Sequence, residues 1–401
     1  MDTPTTPKRT FPTIIFNRRN PRASLPAIWD AMVAANDNPE YPVFFHRKNG
    51  HVSALIKENG FIHDGCHRKD ASFFYPIARW KKEFKNGKTC NAIPTKKLAR
   101  ILLREEADPR LPEIERATDI PIVLNGRLIH EPGFHPEEKA FYYPYHGLQG
   151  MTHNTNPTPD DVKAAREYLL NELLGELNTD NASVLAALFL PMVRSLIDGP
   201  TPLHMFSIES GGWEVPEMVA AIINGERVAI SVPATKEAIN NYAAWKLSFE
   251  YQVLLFEKCQ GEVHPYMSEA LVQKSCSAQM GKEYREGVNN AVWLLSNRDA
   301  DIPDDLWLQL LPIRSYPNRG PRPDTRWVLE NRRSIFQALM TLVQNWINQG
   351  MPADEDIPFP RFESWSEIIG GLLISSGIDG FLEFLGDFHD LPEIEPTTVG
   401  P

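Results

Sequence analysis

The stretch Ala78-Arg79-Trp80-Lys81-Lys82-Glu83-Phe84-Lys85-Asn86-Gly87-Lys88 carries the side chains best suited to holding a polyanion. It interleaves five cations with Trp80 and Phe84, and it follows Phe73-Phe74-Tyr75. Cations at this spacing neutralise phosphates while aromatic rings stack on exposed bases. Arg79, Trp80, Lys81, Lys82, Phe84, Lys85 and Lys88 are therefore the candidate nucleic-acid contacts. The same pattern also fits a solvated basic strand whose aromatics belong to a core. His63, Cys66, His67 and Cys90 are metal-capable, but His-x2-Cys-His with a cysteine 23 residues later matches no zinc pattern, and no metal site is expected. Gly-x-Ser-x-Gly, Gly-x-Gly-x-x-Gly and His-Glu-x-x-His are all missing from the sequence.

The elements that must position these side chains differ along the chain. Residues 1–22 read as a basic flexible arm, and 23–150 as a basic α+β domain. Within it, Thr95–Glu106 suits a helix. Ile122-Val123-Leu124-Asn125-Gly126-Arg127-Leu128-Ile129 suits a hairpin, because Asn-Gly tolerates the positive φ values of a type I′ turn. Phe141-Tyr142-Tyr143 is expected to add a third strand to it. Thr158-Pro159-Asp160-Asp161 opens a helix with a cap, a first-position proline and acids at the positive end of the dipole. Asn181–Ile197 is apolar nearly all round and reads as a buried helix.

After Gly199-Pro200, strand-length apolar runs alternate with helical patterns: Leu203–Ile208, Arg227–Ser231, Val253–Phe256, Ala291–Leu295 and Leu310–Arg314. That alternation predicts an α/β fold, a parallel sheet covered on both faces, over 151–320. A helical segment spans 321–390, with a long helix over Trp327–Gln349 stopped by Gly350 and Pro352, and one or two helices over Ser364–Phe388 divided near Gly377. Residues 391–401 form an acidic, proline-bearing tail.

Composition narrows the class. Hydrophobic residues make up 42% of the 401 and charged residues 23%, ordinary values for a globular protein. No run approaches the roughly 18 apolar residues of a membrane helix, so no membrane partner is expected. The amino terminus lacks the apolar core of a secretory signal, and four cysteines form no disulfide framework; a cytoplasmic setting is the expectation. The net charge of −11 is polarised: residues 1–104 hold 19 Lys/Arg against 8 Asp/Glu, while 351–401 hold Arg361 alone against 11 acids. The basic third suits phosphate backbones and the acidic end does not, unless the two ends attract each other within an oligomer.

From about Leu185 to Leu385 the chain resembles the ATPase module of phage and plasmid primase-helicase-like replication proteins, an AAA-type P-loop fold. The resemblance rests on Leu185–Leu188, Val193–Pro202, Val253–Glu257, Val292–Asn297, Trp365-Ser366-Glu367-Ile368-Ile369-Gly370-Gly371 and Gly377–Leu382. Pro121–Tyr143 is similar to the β-rich segment that precedes the ATPase there. The resemblance implies a P-loop NTPase-like parallel sheet with flanking helices, a small α+β domain before it and a helical segment after it.

The departures from that family bear on activity. Its first strand runs into a Gly-rich loop ending in Gly-Lys-Ser/Thr, where backbone N–H groups and the lysine hold phosphates. Here Leu203–Ile208 leads into Glu209-Ser210-Gly211-Gly212-Trp213-Glu214-Val215-Pro216-Glu217, with Val215 at the lysine position. Each glutamate near a triphosphate adds repulsion on the order of 4 kcal/mol at ~4 Å before screening. The loop residues Ser210, Gly211, Gly212 and Val215 therefore count as degenerate. Glu257 matches the acid that would hold Mg²⁺ and Asn297 the polar sensor, both as vestigial catalytic candidates. A solvated strand end and a turn residue are their plainer readings. Leu308 and Gln309 stand where arginines are expected, and an arginine finger is worth roughly 10³–10⁵ in rate.

The expectation is a pseudo-ATPase with no cofactor, acting on DNA (single-stranded or at a replication fork) or on a partner, as a homo-oligomer or beside an active ATPase. ATP and Mg²⁺ become cofactors only if Lys236 or Lys258 substitutes for the missing lysine. A third alternative is an interaction protein without nucleic-acid contact.

Overall fold

The computed structural model describes residues 11–37, 43–48, 50–58, 61–64, 72–175, 180–208, 214–226, 229–231, 233–249, 251–259, 262–281, 283–297, 301–315, 324–355 and 359–383. At its centre lies a five-stranded sheet built from Leu203–Ile208, Ala229–Ser231, Val253–Cys259, Val292–Asn297 and Leu310–Ser315. Numbered one to five along the chain, these core strands lie side by side in the order 2-3-4-1-5, every pair parallel.

Side chains alternate between the two faces as a period of two requires. Phe206, Val253, Leu255, Val292, Leu294, Leu311 and Ile313 join one hydrophobic layer with the helices Asn181–Val193, Glu214–Asn224, Thr325–Asn348 and Glu363–Ser375. Leu203, Met205, Leu254, Phe256, Trp293 and Leu295 join the other, with Lys236–Ser248 and Tyr266–Val272. Apolar residues on both faces are what made these runs legible as strands of a buried sheet.

The first crossover, through Glu214–Asn224, runs over one face toward core strand 2. The later crossovers run back in the opposite direction over the other face. Reversing both direction and face gives every connection the same hand, and twisted strands favour the right-handed one.

Several expectations change. Residues 1–22 are not an arm throughout: Thr13–Phe16 is a strand parallel to Arg79–Glu83, with Ile14 and Phe16 buried in an amino-terminal core that extends to Leu111. Its apolar alternation outweighs the flanking charges. The helix expected over Thr95–Glu106 is shorter, Lys96–Leu102 with Thr95 capping, and Glu105 and Glu106 oppose the negative end of a longer helix dipole. The hairpin Ile122–Leu124/Arg127–Ile129 forms with φ of 50° at Asn125 and 74° at Gly126. However, Ala140–Tyr142 pairs with Gly133–His135 and Arg116–Thr118 instead of with this hairpin.

The boundaries drawn at 150 and 320 also cut through one core. Ile122, Val123, Leu128, Ile129 and Tyr142 pack with the long helix Thr325–Asn348 and with Asn181–Val193 in a single cluster. Changes of charge and motif set those boundaries, whereas the apolar faces that meet in space decide the packing. Thr158 and Asp161 form a reciprocal capping box before Pro159–Glu167, as the sequence suggests. A further hairpin, Ser275–Met280/Glu283–Val288, lies against Lys236–Ser248 and was not anticipated, since small and polar residues supply most of its strands.

His204, in the first core strand, is fully buried with its ring edge-on to Trp365 at 5.9 Å. Neither ring nitrogen makes a well-formed hydrogen bond, and the Pro202 carbonyl beside it offsets burial only in part. Burial holds its pKa down at about 3, so the ring is neutral in the fold while the unfolded chain takes up a proton below about 6.5. The unfolded state then binds more protons than the native state, and stability falls as pH drops from 6.5 toward 3. The loss expected by pH 5 is about 2 kcal/mol. Urea unfolding of the wild type and of His204→Phe at pH 7.5 and 5 checks this: the variant should lose less between the two, and equal losses would contradict the assignment.

Candidate functional site

In an open parallel sheet, ligands collect outside the carboxyl ends of neighbouring strands whose connections leave toward opposite faces. Core strands 1 and 4 are such neighbours, with Ser207 opposite Asn297 at their carboxyl ends. Beside them, core strand 3 brings Glu257, paired with Ser231 of core strand 2, to the same end. Both vestigial candidates thus lie at the carboxyl end of the sheet. Glu257 is half-buried, and the half-buried Asn297 amide donates to the Met205 sulfur at 3.7 Å.

Ser210, Gly211 and Gly212 lie outside the described residues, as do Glu209 and Trp213. The described chain resumes at the first turn of Glu214–Asn224. There Val215 is 3% exposed and packs into the hydrophobic layer, and Pro216 is buried beside it. Lys236, a substitute cation on the alternative reading, is bound to Glu269 at 3.2 Å with its ammonium 4.1 Å from the centre of the Tyr266 ring. The side chains of Lys258 and Arg314 lie outside the described residues. Gln309 is buried, and its amide donates to the Ser268 hydroxyl and the Asp305 carbonyl, while Leu308 is exposed.

The second candidate surface is the three-stranded sheet Thr13–Phe16, Arg79–Glu83 and Thr89–Asn91. Alternation sends Trp80 inward: it is 8% exposed, edge-on to Phe74 and Phe16, and its indole N–H donates to the Tyr75 carbonyl at 3.0 Å. Trp80 is thus a core residue, leaving Phe84 as the exposed ring, with the Lys82 ammonium 4.6 Å from its centre. Arg79 and Lys81 stand in register with Thr13 and the exposed Ile15. Phe84 to Lys88 form the tight turn into the next strand, with Gly87 at φ 73°, and Lys85 and Lys88 are exposed on it. A shallow groove of about 490 Å³ runs along this sheet between Tyr75, Arg79, Asn91, Ile93 and Pro94.

His63, Cys66 and His67 fall where no side chain is described, and Cys90 is exposed. Among the described residues no group of three or more His, Cys, Asp or Glu is placed to hold a metal, and no helix is long and apolar enough to cross a membrane.

One structural residue left no signal in the sequence. Arg332 is fully buried, donating to Ile222 and Ile223 at the end of Glu214–Asn224 and to the Tyr145 and His146 carbonyls, at 2.6–2.8 Å. Burial brings its pKa down to about 10, which leaves it charged at neutral pH.

The five-stranded parallel sheet with both faces covered by helices defines a P-loop NTPase-like α/β fold. No family model and no curated protein matches the chain. Among solved structures it is similar to the apo C-terminal region of NrS-1, at 10% identity and a TM-score of 0.40, over 89% of this chain and 76% of that one. It is also similar to JCV helicase, at 13% identity and a TM-score of 0.28, over 55% of this chain and 61% of that one. With TM-scores below 0.5, these likenesses lend no weight to the role of any residue.

Proposed function

We propose that the chain is a pseudo-ATPase, a degenerate relative of mobile-element replication ATPases that acts as a DNA-associated or partner-binding scaffold. The observation that carries this reading is Val215. It occupies the position of the phosphate-binding lysine and is packed into the core at 3% exposure. A buried valine brings no donor to a phosphate, so an anion at that helix end gains no cation from this position. Gln309 supports the same reading, since the residue standing for a trans-acting arginine is hydrogen-bonded inside its own chain. Nucleic-acid contact is assigned to Arg79, Lys81, Lys82, Phe84, Lys85 and Lys88.

Phosphate release from labelled ATP with Mg²⁺ tests the proposal. Turnover should not exceed that of Glu257→Gln. Turnover that Glu257→Gln abolishes would make the chain a working NTPase.

A further inference from the structure

His130 follows the hairpin strand Arg127–Ile129, and His153 lies in the segment leading to Pro159–Glu167. Their rings meet at 4.6 Å between centres, inclined by 62°, and both residues are half-buried. A hydrogen-bond chain fixes the proton positions. The Thr155 carbonyl can only accept, so the Asn348 amide nitrogen faces it at 2.9 Å and the Asn348 oxygen is left as an acceptor. That oxygen takes a bond from the Gln344 nitrogen at 2.7 Å, which turns the Gln344 oxygen toward His153 Nε2 at 2.9 Å. His153 therefore carries its proton on Nε2 and a lone pair on Nδ1. His130 Nδ1 faces the Leu128 carbonyl at 3.2 Å, so its lone pair is on Nε2.

We infer that His130 Nε2 and His153 Nδ1 form a two-imidazole site for a divalent ion of the Zn²⁺, Ni²⁺ and Cu²⁺ class. In metal sites, ligand imidazoles are held by donating their other N–H to a carbonyl or amide oxygen, and both rings are held that way here. Two nitrogens bound to one ion at about 2.0–2.1 Å place the ring centres roughly 4.5 Å apart at a right angle and about 5 Å apart at a tetrahedral one, beside the 4.6 Å between these rings. Imidazole suits these ions, and solvent completes the coordination at a half-buried site. Bound metal would tie the hairpin Ile122–Ile129 to the helix Thr325–Asn348 that carries Gln344.

A calorimetric titration of the full chain with Zn²⁺ tests this. One equivalent should be lost in His130→Gln and in His153→Gln, kept in His135→Gln, and weakened about tenfold in Gln344→Leu. Sites elsewhere contribute equally to all four variants and cancel. Unchanged stoichiometry and affinity in either of the first two variants, or loss in His135→Gln, overturns the assignment. Ring ¹⁵N spectra of the wild type give an answer independent of folding in the variants. Zn²⁺ should shift His130 Nε2 and His153 Nδ1, and no shift at either nitrogen overturns the site.

Discussion

Arg332→Met is expected to destabilise the chain by about 3–5 kcal/mol, a large share of the 5–15 kcal/mol typical of a folded domain. The guanidinium donates to four backbone carbonyls in a volume closed to water. Two of them end the helix Glu214–Asn224, where the dipole favours a cation, and two belong to Tyr145 and His146. Methionine fills similar space but removes a donor from all four carbonyls, of which Tyr145 keeps the Leu148 N–H at 3.3 Å, and each carbonyl left unpaired costs roughly 1–3 kcal/mol before relaxation. Arg332→Lys should recover only part of the loss, because an ammonium cannot reproduce the planar fork. Urea denaturation followed by circular dichroism checks both variants. A loss under about 1 kcal/mol for Arg332→Met would mean the carbonyls find other donors.

Lys81→Ala/Lys82→Ala/Lys85→Ala should weaken single-stranded DNA binding on the order of a hundredfold at 0.1 M salt. Each cation that neutralises a phosphate on a single strand adds about 0.7 to the slope of log K against log salt, so three lost contacts reduce the slope by about 2. Among the described residues no ion pair engages Lys81 or Lys85, so their charge is not spent within the protein. A fluorescence-anisotropy titration across salt concentrations measures both quantities. An unchanged slope would move any DNA contact off this sheet. No wild-type binding at 50 mM salt would favour a scaffold that meets only proteins.

The parallel sheet was legible because its strands carry apolar residues on both faces, half-buried in the edge strand Ala229–Ser231 and buried in the other four, so apolar runs marked each one. The Asn125-Gly126 turn and the Thr158 cap were legible because they depend on neighbouring residues alone. What stayed hidden depends on residues distant in sequence. Arg332 is separated by 110 positions from Ile222 and by 187 from Tyr145, and on its own helix it looks like one more surface cation. The inward turn of Trp80 likewise follows from pairing with Thr13–Phe16, which the charge of the amino-terminal segment concealed. The His130–His153 contact joins two segments with no motif between them. Of the candidate phosphate site, Glu257 and Asn297 lie at the carboxyl end of the sheet. Ser210 to Gly212 lie outside the described residues.

Calorimetric titration of the full chain with a non-hydrolysable ATP analogue and Mg²⁺ tests the proposed loss of the triphosphate grip most directly. No saturable heat at millimolar nucleotide is the expected result. Micromolar binding that requires Mg²⁺ and disappears in Glu257→Gln would contradict it.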